Sequence, residues 1–430
     1  MDFENTEEFA KRLDSQDSLA RYQEQFSFPK INDKKVLYFT GNSLGLQPKI
    51  TQSYVDEIMN DWANLAVEGH FYADKPWWDY HERLAKPLGN VVGAKASEIT
   101  VMNTLTVNLH LLMVSFYRPD KKKYKIICEE KAFPSDQYML QSQVKFHGYD
   151  PGDAIVEIKK RPGEHNFRTN DIKKVIEETG EECALILIGG VNYYSGQVFD
   201  IEEITKIGHQ VGAFVGWDLA HAVGNIELKL HEWNVDFAAW CSYKYMNSGP
   251  GHASGCYIHE RFHNQKDIPR FEGWWGTKKS SRFMMRPTFE PMENADAWQI
   301  SNAPMLSLAP YLASLQLFDE VGMDALLKKR KRIVSYLEFI INDVAEKVDG
   351  NFEIITPKNE KERGTQLSIL LHDHGKKLFD FLMKKGVIID WREPNVIRLA
   401  PAPFYCSFLD IYKFGQILRE GVSKKADILR

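Results

Sequence analysis

The sequence predicts an α/β protein, a large doubly wound and mostly parallel sheet domain followed by a smaller C-terminal α+β domain. Three observations carry this prediction. Short β-rich runs alternate with helical ones between about residues 98 and 241, the pattern of parallel βαβ units. From about 260 to 304 the alternation gives way to a stretch rich in Trp, Gly, Arg and Pro. Beyond it, two helical runs lead into a mixed strand and helix pattern that forms a module of its own. A chain of 430 residues has ample length for both units.

In chain order, residues 50–67 set Tyr54, Ile58, Trp62 and Leu65 on one helical face. Strands are expected at 98–102, 124–128, 154–158, 184–189, 213–218 and 236–241, and helices begin near Thr106, Ser135, Thr169 and Ile201. Helices are expected again at 305–321 and 323–347. The last module reads strand 352–355, strand 366–371, helix 376–385, strand 386–390, strand 395–399 and helix 407–424. The divisions expected are an N-terminal segment, 1–45, packing on the small domain or a dimer partner, a large domain, 46–315, and a small domain, 316–430.

Composition narrows the function. Charged residues make up 26% and aromatics 12%, as in a folded globular protein. A net charge of −5 gives no electrostatic case for nucleic acid or an anionic membrane. The five cysteines are scattered and never form CxxC, which argues against a disulfide framework and a cysteine zinc site. No metal is expected. The step His372–Asp373–His374 reads as a polar surface turn. With an acidic amphipathic start and no long apolar run, the chain reads as a soluble cytoplasmic protein. The phosphate-binding glycine motifs are absent.

Three strand ends bear chemistry. AFVGWDLAHAVG brings Asp218 to the end of an apolar strand, with His221 three residues on. VDFAAWCSYKYMNSGPG brings Tyr243 and Lys244 just past another, and KIICEEKAFPSD brings Phe133, Ser135 and Asp136 past a third. In open α/β sheets ligands bind outside the carboxyl ends of the strands. A lysine desolvated there becomes a nucleophile able to form a Schiff base. A carboxylate facing such a lysine across a ring is what pyridoxal phosphate requires, because the acid keeps the ring nitrogen protonated. The helix beginning at Leu105 and Thr106 offers free N–H groups for a phosphate. Phe133 suits stacking on the ring, though ordinary core would explain it too.

The strings GNSLGLQP (41–48), NTLTVNLH (103–110), FPSD (133–136), GWDLAHAVGN (216–225), YKYMNSGPG (243–251), GWWGT (273–277), ISNAP (300–304) and IRLAPAPFY (397–405) occur in this order over nearly the whole chain. In that order and spacing the sequence resembles the kynureninases, pyridoxal-phosphate enzymes of fold type I close to the class V aminotransferases. The resemblance implies a fold type I transferase-like architecture whose large domain binds the cofactor. It implies that Lys244 carries the cofactor, that Asp218 pairs the ring nitrogen, and that His221 and Phe133 flank the ring. Leu105, Thr106, Ser135, Asp136, Tyr243 and Trp274 would complete the pocket, and Tyr243 is the candidate general acid or base. Arg398 matches the arginine that holds the substrate's α-carboxylate, with an ordinary ion pair as the alternative. Ser43 and His70 would also face substrate, and Asn302 would reach the neighbouring subunit's site.

The activity implied is hydrolysis of L-kynurenine, and of 3-hydroxy-L-kynurenine, to anthranilate or 3-hydroxyanthranilate and L-alanine. It belongs to tryptophan degradation and NAD biosynthesis and would be carried out by a homodimer with active sites at its interface. Two departures stand out. Gly189–Gly190 replace a hydroxyl residue that relatives often carry, and Thr277 replaces a histidine. The rival readings are another class V activity such as cysteine desulfurase, for which Cys406 is the candidate nucleophile, and a non-catalytic scaffold.

Overall fold

The computed structural model describes residues 3–265, 267–348, 351–373 and 375–423. Its centre is a seven-stranded sheet. The strands in chain order are β1 (Ile99–Met102), β2 (Lys125–Glu129), β3 (Ile155–Ile158), β4 (Cys183–Gly189), β5 (Phe214–Asp218), β6 (Phe237–Trp240) and β7 (Ser254–Ile258). Across the sheet they run β1-β7-β6-β5-β4-β2-β3. All pairings are parallel except those of β7, which is antiparallel to both neighbours.

The strands are continuous apolar runs because both faces are covered. Ile186 and Ile188 of β4 pack into one core cluster with Val215 and Trp217 of β5, while Leu185 and Leu187 pack into a second with Phe237 and Ala239 of β6. Successive side chains point to opposite faces, so this alternation sets one cluster on each side of the sheet. The crossover helices begin at Leu105, Pro134, Thr169 and Ile201, each within a residue of its expected start.

Among the described residues from 260 to 304 the chain forms short 3-10 turns and one isolated bridge, Thr277 with Pro291. Helix Met305–Val321 then packs on helices Thr51–Leu65 and Glu82–Val92, and helix Met323–Val348 packs on the last helix, Phe408–Ser423. The C-terminal sheet has four antiparallel strands, β8 (Phe352–Ile354), β9 (Leu367–Leu371), β10 (Asp390–Arg392) and β11 (Val396–Leu399), in the order β8-β9-β11-β10.

Two expectations need correction. The run expected as a single strand at 386–390 is divided: Val387–Ile388 pairs in parallel with Leu37–Tyr38, whereas β10 begins at Asp390 and joins the four-stranded sheet. Of the apolar face expected on the helix near residue 50, only Ile58 is buried, and Trp62 is 61% exposed. Its apolar stripe is wider than the surface that helix Met305–Val321 covers within one chain.

The N-terminal segment lies against the C-terminal sheet and helices. Leu37–Tyr38 extends along Val387–Ile388, and Lys329 forms a buried ion pair with Asp17 at 2.7 Å. His372 is partly exposed and Asp373 accepts from Asn351, as a surface turn would; His374 lies outside the described residues.

Candidate active site

The carboxyl ends of β2, β4 and β5 open with the loop after β6 onto one cavity of about 310 Å³. Asp218 is the last residue of β5 and is level with Gly189 of β4 and Ala239 of β6. Its Oδ1 accepts the Ala220 N–H at 2.7 Å. Asp136, in the first turn of helix Pro134–Phe146, donates a hydrogen bond to Asp218. Burial is the main cause that raises both carboxyls, and the negative charge of Asp218 raises Asp136 much further. Asp136 therefore holds the proton of the pair, and Asp218 is its charged member.

Lys244 stands just beyond β6. Its Nζ lies 3.0 Å from His221 Nε2. Burial, and then the positive charge of Lys244, push the His221 imidazole well below its ordinary value, so the ring is neutral. His221 Nδ1 is buried without a partner. Burial likewise pushes the Tyr243 phenol upward, which keeps it protonated. The lysine loop is held from the other side by the segment at 41–48, where the Gly45 N–H donates to Tyr243 O at 2.8 Å. A Cβ at Gly45 would stand 2.4 Å from Lys244 O, so only glycine lets these two loops approach so closely.

Thr104, Leu105 and Thr106 also line the cavity. Thr104 is extended, and no side chain caps helix Leu105–Phe116. Its first N–H groups are thus available to an anion, which the helix dipole also favours. Phe133 and Ser135 line the cavity too; Phe133 is 42% exposed and meets Tyr193 edge to face.

Of the residues expected at the site, ten line this cavity: Ser43, Leu105, Thr106, Phe133, Ser135, Asp136, Asp218, His221, Tyr243 and Lys244. Four do not. Trp274 is 46% exposed in the loop after β7 and donates to Arg282 O. Asn302 is exposed in the loop before helix Met305–Val321, and His70 packs its ring edge on Trp77. Arg398 is 1% exposed on β11; its Nη1 donates to Tyr193 O at 2.6 Å and its Nη2 to Asp390. Its guanidinium bridges two protein groups rather than gripping one carboxylate with two prongs, and its Nε is without a partner.

Sequence reasoning missed Glu129, Tyr193 and Arg392, which also line the cavity. Glu129 was legible, because it ends β2 as Asp218 ends β5. Tyr193 and Arg392 were not. They arrive from the loop after β4 and from β10, and no local pattern carries such a contact.

These residues fit pyridoxal phosphate. An uncapped helix end suits a phosphate, a charged buried carboxylate suits a protonated ring nitrogen, and an unpartnered buried imidazole nitrogen suits a ring substituent. Cys406, by contrast, is 2% exposed with its Sγ donating to Tyr38 O at 3.2 Å, far from the mobile nucleophile a desulfurase needs.

Residues 329–418 match the family model described as the kynureninase C-terminal domain. A kynureninase of Christiangramia forsetii is 72% identical over 99% of this chain and 100% of its own length. One from Flavobacterium johnsoniae is 69% identical over the same shares, and one from Nematostella vectensis is 44% identical over 96% of this chain and 93% of its own. Among solved structures, a cysteine desulfurase from Thermococcus onnurineus NA1 superposes with a TM-score of 0.72 at 17% identity, covering 90% of this chain and 95% of its own. The cystine C–S lyase in complex with cysteine persulfide superposes with a TM-score of 0.74 at 14% identity, covering 89% and 97%. At such identities these two structures share the fold alone.

Proposed function

The chain belongs to the kynureninase family, and on that footing we propose that it hydrolyses L-kynurenine to anthranilate and L-alanine, with Lys244 as the residue that carries pyridoxal phosphate. The observation that supports this most is one cavity joining a strand-end lysine, a charged strand-end carboxylate and an uncapped helix N-terminus.

The phosphate would be held by the N–H groups at Leu105 and Thr106, the ring nitrogen by Asp218, and the ring faces by Phe133 and His221. When bound, pyridoxal phosphate supplies an electron sink that stabilises negative charge on the substrate's Cα and loosens its Cβ–Cγ bond. Lys244, released when the substrate amine takes its place, accepts the Cα proton at Nζ. The neutral His221 at 3.0 Å leaves that amine without a competing cation. Tyr243 enters protonated and serves as the acid that assists addition of water to the γ-carbonyl. Water supplies the hydroxyl that leaves with the anthranilate carboxylate, and protonation at Cβ and return of a proton to Cα from Lys244 Nζ complete alanine.

Arg398 binds the α-carboxylate through N–H groups that Tyr193 and Asp390 leave free, and Ser43 faces the same end. His70, Asn302 and Trp274 act at the site of a second subunit in a homodimer. The test is product analysis: incubation of the pyridoxal-phosphate-loaded protein with L-kynurenine should give anthranilate and alanine in equal amounts. Release of sulfur from cysteine without any anthranilate would favour the desulfurase reading instead.

A further inference from the structure

Glu129 is 4% exposed at the carboxyl end of β2, where it lines the cavity. Nothing in the mechanism above uses it. The Gly189 N–H at the end of β4 lies 3.2 Å from its Oε1 and 3.4 Å from its Oε2. A Cβ at that position would stand 3.1 Å from Glu129 Oε1, so the glutamate carboxyl borders the room that a side chain at 189 would take.

We propose that Glu129 is a cofactor-facing hydrogen-bond donor whose carboxyl borders the room that a side chain at Gly189 would take. The inference rests on the assignment of Lys244 and Asp218 to pyridoxal phosphate. With Asp218 on the ring nitrogen, the remaining polar ring substituent is the phenolic oxygen, which accepts hydrogen bonds when ionised. A carboxyl can serve it only in the protonated form.

The surroundings favour that form. Burial, aided by the charge of Asp218, raises Glu129 to about 7. The titratable groups around it are Asp218 on β5, Asp136 on its helix, Tyr193 after β4, Cys128 beside it on β2 and Lys160 after β3. Lys160, the one cation among these, is paired to Glu130 at 3.3 Å.

The test measures the affinity of the apoenzyme for pyridoxal phosphate between about pH 6 and 8.5. Glu129→Ala should weaken binding about tenfold, the loss of one hydrogen bond to a charged group. Glu129→Gln, whose amide still donates but does not titrate, should stay within about threefold of wild type and weaken less as pH rises. Gly189→Ser should recover affinity in the Glu129→Ala background and none in the wild type, where the carboxyl already borders that space.

Wild-type affinity in Glu129→Ala, or a pH dependence in Glu129→Gln as steep as in wild type, overturns the proposal. If the alanine variant does not fold, the glutamine comparison decides alone. Borohydride reduction of each variant keeps the two readings separate. A label on Lys244 with unchanged affinity sinks the Glu129 proposal alone, while a label elsewhere sinks the cofactor assignment with it.

Discussion

Asp218 owes its role to position. It ends an apolar strand whose neighbours end at the same level, so it is buried yet borders the cavity, and Asp136 holds the proton that would otherwise neutralise it. Its contribution is to the charge that develops during reaction. Asp218→Asn should therefore lower kcat about a hundredfold or more while changing cofactor affinity far less; equal losses would mark the residue as merely structural. Arg398→Lys should raise KM about tenfold and leave the cofactor's absorbance unchanged, because an ammonium cannot copy a guanidinium that already bridges two protein groups. An unchanged KM would move the carboxylate site elsewhere, with Arg392 the next candidate. Glu129 also predicts a pH effect on the apoenzyme. Its raised folded-state value favours folding fully below about 4.5, and that contribution fades as pH rises through about 7. Replacing it with glutamine should therefore raise the apoenzyme's Tm at pH 8 relative to wild type, by on the order of 3 kcal/mol or less in stability, and change little at pH 4. At this scale the sequence revealed the residues that strands and helix starts deliver locally, such as Asp218, Lys244 and Thr106. Arg392 and Tyr193 reach the cavity through tertiary contacts that no spacing encodes.

The strands were legible because both faces of the central sheet are covered, which turns each into an unbroken apolar run. Helix starts were legible because Pro134 and Asp200 sit where first turns and caps favour such residues. The division of 386–390 was not, since a two-residue pairing with Leu37–Tyr38 depends on a segment some 350 residues away in the chain. The same dependence on distant partners governs the lysine loop. Gly45→Ala sets a Cβ 2.2 Å from Asn247 Oδ1 and 2.4 Å from Lys244 O, and these atoms have to move. The variant should fold, judged by far-UV circular dichroism, with cofactor affinity lowered about tenfold or more. Normal affinity would show that the 41–48 loop does not position Lys244.

The whole molecule carries more apolar surface than one chain needs. Trp62, Phe71, Tyr72, Trp274 and Phe283 are between 46% and 73% exposed. Phe71, Trp78, Phe283 and Trp274 form one connected aromatic cluster beside His70. Such a surface suits a second copy, which would bring His70 and Asn302 to a partner's cavity. Light scattering should give twice the chain mass, and Phe71→Asp should give monomers with little activity; a fully active monomer would contradict the shared site. His70 and Asn302 can hydrogen-bond a ring hydroxyl, so 3-hydroxykynurenine should be accepted with kcat/KM at least comparable to that for kynurenine. The double variant His70→Trp, Asn302→Thr should shift that ratio, and an unmoved ratio would mean that neither residue reads the ring. Most directly, the central claim is that Lys244 carries the cofactor. Borohydride reduction of the protein loaded with pyridoxal phosphate, followed by peptide mapping, should place the pyridoxyl group on Lys244; its appearance on any other lysine would contradict the account.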